Sequence, residues 1–403
     1  MKRKRKAKTE AIGPLINEYA AGVDIGSREI YVAVAPELDA GPVRCYATFT
    51  EERRKRVAWF QERGIKTVAM EATGVYWIAL AELLEEARIE VCLVNPRHVK
   101  NVPGRKTDVQ DCQWLQNLHS VGLLRAAFRP PAQVRAIRSL WRHRDSLVRQ
   151  SAWHVQHMHK ALDQMNLRIH HVIPDITGKS GGDIVNAILE GERNPKALAA
   201  LGDKRLKASR AILIAALTGD YRNEHLFCLE QAKDGYEFTL KQIAQVDERL
   251  EAMLKALEQR QPCAPGEQPA QTIYSEIGGD LSAFKSGKHF ASWLGLNPDN
   301  RASGKKVLSA HIRPCGNRVA RALRMAAQGL HHANNEPEDY YRRMKAKLGG
   351  AAGLVAVAHK LARIIYAVLT TRKAYEPALH KKAEAQRLAR SLEHLRKKQK
   401  HTV

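Results

Sequence analysis

The stretch "AAGVDIGSREIYVAVAP" (residues 20–36) decides how the N-terminal part of the chain folds. Two short β-branched runs flank Gly26-Ser27-Arg28, the pattern of one strand turning back into another. The first run closes on Asp24, so that carboxylate rides on a strand and projects from one face of the sheet. Outward from this pair, "VRCYATFT" (43–50), "KTVAMEA" (66–72) and "IEVCLVNP" (89–96) read as further strands. Between them, "EERRKRVAWFQERG" (51–64) and "GVYWIALAELLEEAR" (74–88) carry helical periodicity. Three strands, a helix, a strand, a helix and a strand predict a mixed α/β sheet.

That order is what a ribonuclease-H-like fold would show, over residues 19–128, behind a basic, disordered tail at 1–18. After "FRPPAQ" (128–133) the pattern changes. Val134, Ile137, Leu140, Trp141, Val148, Val155, Met158, Leu162 and Met165 follow a 3-4 repeat, as do Leu240, Ile243, Leu250, Met253 and Leu257. Two long amphipathic helices with coiled-coil spacing are predicted within 129–262, with shorter helices between them. Trp141, Trp153 and Met158 are expected in that helical core. Arg135, Arg138, Arg142, Arg144 and Arg149 are expected on a solvated basic face. "RQPCAPGEQPAQT" (260–272) reads as a linker. A mostly helical C-terminal domain follows over 263–380, interrupted by the loop "DNRASGKKVLSAHIRPCGN" (299–317), and 381–403 is a second basic tail.

Lys and Arg outnumber Asp and Glu by 66 to 42, a formal net charge of +24 over 403 residues. So large an excess points to a polyanionic partner, nucleic acid first. No apolar run reaches the roughly 18 residues of a membrane span, and no apolar segment follows the basic N-terminus as in a signal peptide. Six cysteines lack CxxC or CxxH spacing, which argues against a zinc site or a disulfide framework and suits a cytoplasmic protein.

Against this basic background, four carboxylates stand out. Asp24 ends its apolar run, where Asp-x-Gly is also an ordinary strand-to-turn signal. Glu71 is delivered by "TVAM" to the end of a strand, where a lone charge is costly to bury without a partner. Asp108 and Asp111, in "GRKTDVQDCQWLQNL" (104–118), lie three apart at the start of a helix and share one face. Helix capping explains at most one of them, because Thr107 is the better N-cap. Two anions so close repel unless a cation sits between them. Together the four could hold two Mg2+ ions in the arrangement that clamps a phosphodiester for in-line attack.

A second candidate is Ser303, which precedes Gly304 among Arg301, Lys305, Lys306, Arg313 and Arg318. A hydroxyl among cations can approach and attack a phosphate, although such a loop is more often a phosphate contact only. Ser309 is the rival serine. Arg97, Lys100, Arg105 and Lys106 add nucleic-acid-binding candidates ahead of the aspartate pair.

"VDIG" (23–26), "MEATGVYW" (70–77), "VNPRHVKNVPGRKTDVQDCQWLQNL" (94–118) and "FASWLGLNPDNRASGKK" (290–306) occur in an order that resembles the DEDD-type insertion-sequence transposases of the family numbered one hundred and ten. The likeness spans nearly the whole chain. It implies a RuvC-like domain with Asp24, Glu71, Asp108 and Asp111 as metal ligands, a coiled-coil middle, and a C-terminal transposase domain with Ser303 as nucleophile. It also implies a composite centre between protomers, dimers assembling to a tetramer, and a structured bridge RNA that pairs with donor and target DNA. Such a protein would work in a prokaryotic cytoplasm, associated with the nucleoid. The family loop usually reads Ser-Gly-Gly; here Lys305 replaces the second glycine. The alternative function is a RuvC-type nuclease that uses water. A sugar or acetate kinase would match "VDIGSREIYVAV" but lacks a second phosphate loop, and a catalytically dead RNA-binding relic is spoken against by the four carboxylates.

Overall fold

The computed structural model describes residues 14–96, 107–258, 268–299, 301–304, 306–309, 311–312, 315–330, 336–373 and 375–376. They divide into two compact units at Arg129/Pro130.

In the first unit, strands β1 (Ala20–Ile25), β2 (Glu29–Ala33), β3 (Val43–Ala47), β4 (Thr67–Glu71) and β5 (Glu90–Val94) form one sheet in the order β3-β2-β1-β4-β5. β2 runs antiparallel to β1 and β3, whereas β4 lies parallel to β1 and β5. Helices α1 (Thr50–Glu62) and α2 (Trp77–Glu86) fill the connections, as the sequence order predicts. The period of two along each strand separates the faces. Val23, Val68 and Met70 join Phe60, Leu80 and Leu84 in a core under α1 and α2. The alternate residues Ala69, Cys92 and Val94 pack with Leu115 of α3 (Asp108–Ser120). The sheet is therefore covered on both sides.

Asp39, in the β2–β3 connection, ties that loop to α1. Its carboxylate accepts from Trp59 Nε1 at 2.9 Å and Arg63 Nε at 2.8 Å. At the other end, Ile16 and Asn17 donate their backbone amides to Ser120 O, and Asn17 Nδ2 donates to His119 O at 2.8 Å. Residues assigned by sequence to the tail thus satisfy the last carbonyls of α3.

The second unit is built on α4 (Ala132–Gln164) and α8 (Asn223–Glu258), with α5 (Lys179–Leu189), α6 (Pro195–Ala200) and α7 (Arg210–Ala216) between them. Val134, Ile137 and Trp141 meet Leu250 and Leu257, whereas Met158 and Leu162 share a cluster with Leu229. Low numbers of one helix facing high numbers of the other make the pair antiparallel. Trp141 and Met158 are core, as expected; Trp153 is 55% exposed and lies against the His157 ring at 3.9 Å in a tilted pair instead.

The basic face of α4 is corrected in part, at Arg138, Arg142 and Arg144. Arg142 donates from Nε and Nη2 to Glu276 at 2.9 and 2.8 Å, and Arg138 joins the same buried carboxylate at 3.2 Å. Arg144 donates from Nη2 to Asp247 Oδ2 at 3.0 Å. These three are tied across helices, with Arg142 still half exposed. Arg149, 64% exposed and paired with Asp145 one turn before it, stays on the solvated face as expected.

The chain continues through α9 (Gln268–Ile277), α10 (Gly287–Trp293), the strands β6 (Arg301–Ser303) and β7 (Lys306–Ser309), α11 (Arg318–Gly329), α12 (Glu336–Leu348) and α13 (Gly350–Thr371). α13 corrects the membrane expectation in one respect, since by length and composition it could cross a bilayer. Here it buries Val357, Ala358 and Ala362, and Tyr366 Oη donates to Phe284 O at 2.8 Å.

Candidate active site

Strand alternation decides whether the four acids can cooperate. On β1, Gly22 and Asp24 share a face; on β4, Ala69 and Glu71 do. Ala69 packs against α3, so Glu71 projects on the side that α3 covers. A Cβ built on Gly22 would stand 2.2 Å from Cys112 O and 2.3 Å from Gln116 N, so Gly22 and Asp24 face α3 as well. Gly22 pairs with Ala69 and Val23 with Met70; one further step brings Asp24 level with Glu71. The glycine lets the helix backbone lie directly on β1, and this close approach carries the first turn of α3 toward Asp24. A glycine inside a strand pattern is the signal for such an approach.

Thr107 caps α3, its Oγ1 accepting from Gln110 N at 3.3 Å. Capping therefore uses the threonine and leaves Asp108 and Asp111 as first-turn acids. Burial pushes the Asp24 carboxyl up to about 6, reinforced in turn by the charges of Asp108, Asp111 and Glu71. All three other acids thus act on Asp24. Cys112, fully buried behind it, is pushed up to about 12 by burial and by Asp24.

Among the described residues, no three carboxylate, histidine or cysteine groups close to a metal-coordinating separation. The acids share one face and one electrostatic field without converging into a coordination sphere. As a donor set they fit a hard divalent cation, being all oxygen and mutually repulsive in its absence.

The serine loop is a hairpin rather than irregular chain. β6 and β7 pair antiparallel, Ser303 opposite Lys306, with a register shift between Arg301 and Ala302. Gly304 opens the tip at φ +59, a conformation that glycine adopts without strain. Ser303 is exposed as the last residue of β6. Ser309 pairs with Arg301, and its Oγ accepts from His311 N at 3.4 Å. Arg318, at the start of α11, donates to Asp145 Oδ2 at 2.9 Å, and Arg321 approaches the same carboxylate at 3.5 Å. Arg97, Lys100, Arg105, Lys106, Lys305 and Arg313 lie outside the described residues, and Arg301 and Lys306 are described by their strands alone.

A transposase family model, that of the DEDD transposases of IS110, matches residues 21–167. A second, described as transposase of the IS116/IS110/IS902 family, matches residues 265–342. A Pseudomonas aeruginosa protein described as a probable family 20 transposase is 25% identical over 77% of this chain and 86% of its own length. The transposase for insertion sequence element IS1111A of Coxiella burnetii is 25% identical, covering 70% of this chain and 72% of its own. The insertion element IS116 protein of Streptomyces clavuligerus is 24% identical over 82% and 86% of the two chains.

Proposed function

This chain belongs to the IS110/IS116 family of insertion-sequence transposases, and we propose that it cuts and rejoins DNA through Ser303, aided by the acidic face of its N-terminal sheet. The observation that carries the reading is geometric: Asp24 and Glu71 project from the sheet face that α3 covers, and the first turn of α3 carries Asp108 and Asp111. Four acids gathered on one face of a chain with a net charge of +24 oppose its general electrostatics, and that arrangement calls for a cation. A divalent ion such as Mg2+ held by Asp24, Glu71, Asp108 and Asp111, two per site in the fullest form, would supply charge neutralisation and Lewis acidity at a scissile phosphate.

Ser303 stands at a hairpin tip, where its hydroxyl can enter the groove of a nucleic acid. Its Oγ attacks phosphorus, the Oγ–P bond forms and the P–O3′ bond breaks. The serine proton goes to the departing 3′ oxygen by way of solvent. The products are a 5′-phosphoserine and a free 3′-hydroxyl. Reversal on the exchanged strand reseals the backbone without ATP, since one phosphoester replaces another. The sheet domain is ribonuclease-H-like and RuvC-like, the α4/α8 pair of the second unit is the coiled-coil element, and boundaries near 19–128, 129–262 and 263–380 separate the working parts.

The assembly is a dimer that pairs into a tetramer, with carboxylates and serine contributed by different protomers to each composite centre. A structured bridge RNA pairs with donor and target DNA, so that the protein reads backbone and shape. Basic side chains, Arg97, Lys100, Arg105, Lys106, Arg301, Lys305, Lys306, Arg313 and Arg318 among them, supply salt-dependent affinity. The setting is a prokaryotic cytoplasm.

Denaturing electrophoresis after incubation with junction DNA, the copurified RNA and Mg2+ tests the reading. DNA shifted by covalently attached protein is expected, and Ser303→Ala should abolish the shift. Clean hydrolysis that is unaffected by Ser303→Ala would establish the water-using nuclease instead.

A further inference from the structure

Immediately beyond Glu71 the chain makes a turn that places apolar side chains in solvent. Val75 is 68% exposed, Tyr76 46% and Ile78 37%. The turn is held in place. Trp77 Nε1 donates to Gly74 O at 3.2 Å, and the Arg129 guanidinium lies over the Trp77 ring at 5.4 Å. Leu80, Ala81 and Leu84 of the following helix are buried in the core. With the tryptophan fixed and α2 anchored, Val75 and Tyr76 are presented outward on a firm base.

Their position defines what they can meet. The contour from Glu71 to Tyr76 spans at most about 17 Å, so the ring lies within a few nucleotides of any strand resting on the acidic face. That face repels phosphate wherever a cation does not intervene. An uncharged aromatic surface within that reach, at the sheet end where Glu71 closes its strand, can hold the neutral part of a nucleotide without adding either attraction or repulsion for the backbone. Base stacking on an aromatic ring is also tolerant of sequence.

We propose that Tyr76, supported by Val75, is a stacking subsite for a nucleobase next to the phosphate that the acidic face handles. The inference deepens the transposase reading and rests on it. Tyr76 is a binding residue that sets the register of the strand, and it takes no part in bond making.

The test uses the full chain with Ca2+ and two single strands of equal length, one of mixed sequence carrying 2-aminopurine, the other abasic at its centre. The wild type should bind the base-bearing strand more tightly and quench 2-aminopurine. Tyr76→Ala should weaken binding of that strand by about 5- to 100-fold and remove the quenching, with abasic binding unchanged. Tyr76→Phe should restore both. Equal loss for the two strands, or no loss, would overturn the subsite, as would a change in oligomeric state with no change in quenching, which marks a protein–protein surface. Glu71→Gln serves as the separate control. If wild-type binding ignores Ca2+ and Glu71→Gln changes nothing while Tyr76→Ala abolishes quenching, the acidic site is misread and the stacking subsite stands.

Discussion

Ionising Asp24 in the folded chain sets a negative charge beside Glu71, Asp108 and Asp111, and folding has to bear the repulsion. The carboxyl is held at about 6, against 3.8 for an ordinary aspartate, with burial as the first cause. A raised acid pKa means that the folded state prefers the proton. This group therefore costs nothing below pH 3.8, and the fold loses stability as pH rises from there through 6. The shift corresponds to at most about 3 kcal/mol, which solvent screening at a half-buried site reduces to roughly 1–2 kcal/mol. Asp24→Asn should accordingly melt higher than the wild type at pH 7.5 without divalent cations, with the gap closing as pH falls toward 4.5. An Asp24→Asn chain less stable than the wild type at pH 7.5 would show that the carboxylate is held by a counter-charge. At this scale the sequence singles out the four acids, although Asp24 also reads as an ordinary strand-to-turn residue and capping could use one of the helix aspartates. It could not show that Trp153 faces solvent, because helical periodicity places a residue on a stripe without saying where the partner helix ends.

Between elements, Gly22 is the joint on which the acidic face depends. A side chain there would enter the backbone of α3 at Cys112 and Gln116. Replacement by alanine forces the helix away from β1, and overpacking of this kind costs about 1–3 kcal/mol, more where only backbone can yield. Gly22→Ala should lower the melting temperature and also lessen the electrostatic coupling of Asp24 to α3. A thermal scan in which Gly22→Ala matches the wild type would mean that the strand and helix are not in close contact. The strands and helices of this unit were legible because their periods of 2 and 3.6 are distinct and their boundaries carry Gly, Pro or charge. The contact between β1 and α3 was not, since it joins residues some 90 positions apart and depends on the absence of a side chain. The paired arginines of α4 teach the same lesson. A helix face rich in arginine looks solvated until Glu276, 134 residues away from Arg142, is folded against it.

On the whole-molecule scale, the division at Arg129/Pro130 separates the acids from the serine hairpin. The first unit has its own core around Val23, Phe60, Met70 and Leu80; the second has cores around Leu162 and Ile184 and around Ile137 and Leu250. Independent cores make independent cooperative transitions the expected behaviour. Calorimetry of the full chain should then resolve two transitions that answer to different perturbations. A divalent cation bound only by the folded acidic face raises the stability of that unit by RT ln(1 + [L]/Kd), about 2.7 kcal/mol at a hundredfold excess over Kd. Adding Mg2+ should therefore move one transition, and Asp24→Asn should cancel that movement. Glu276→Gln strips a buried carboxylate from Arg138 and the half-exposed Arg142, a loss of about 1.5–3 kcal/mol, and should move the other transition alone. If both perturbations displaced the same transition, the two units would unfold as one body. If Mg2+ displaced neither, the four acids would have no affinity for it, and the chemistry assigned to them would lose its footing.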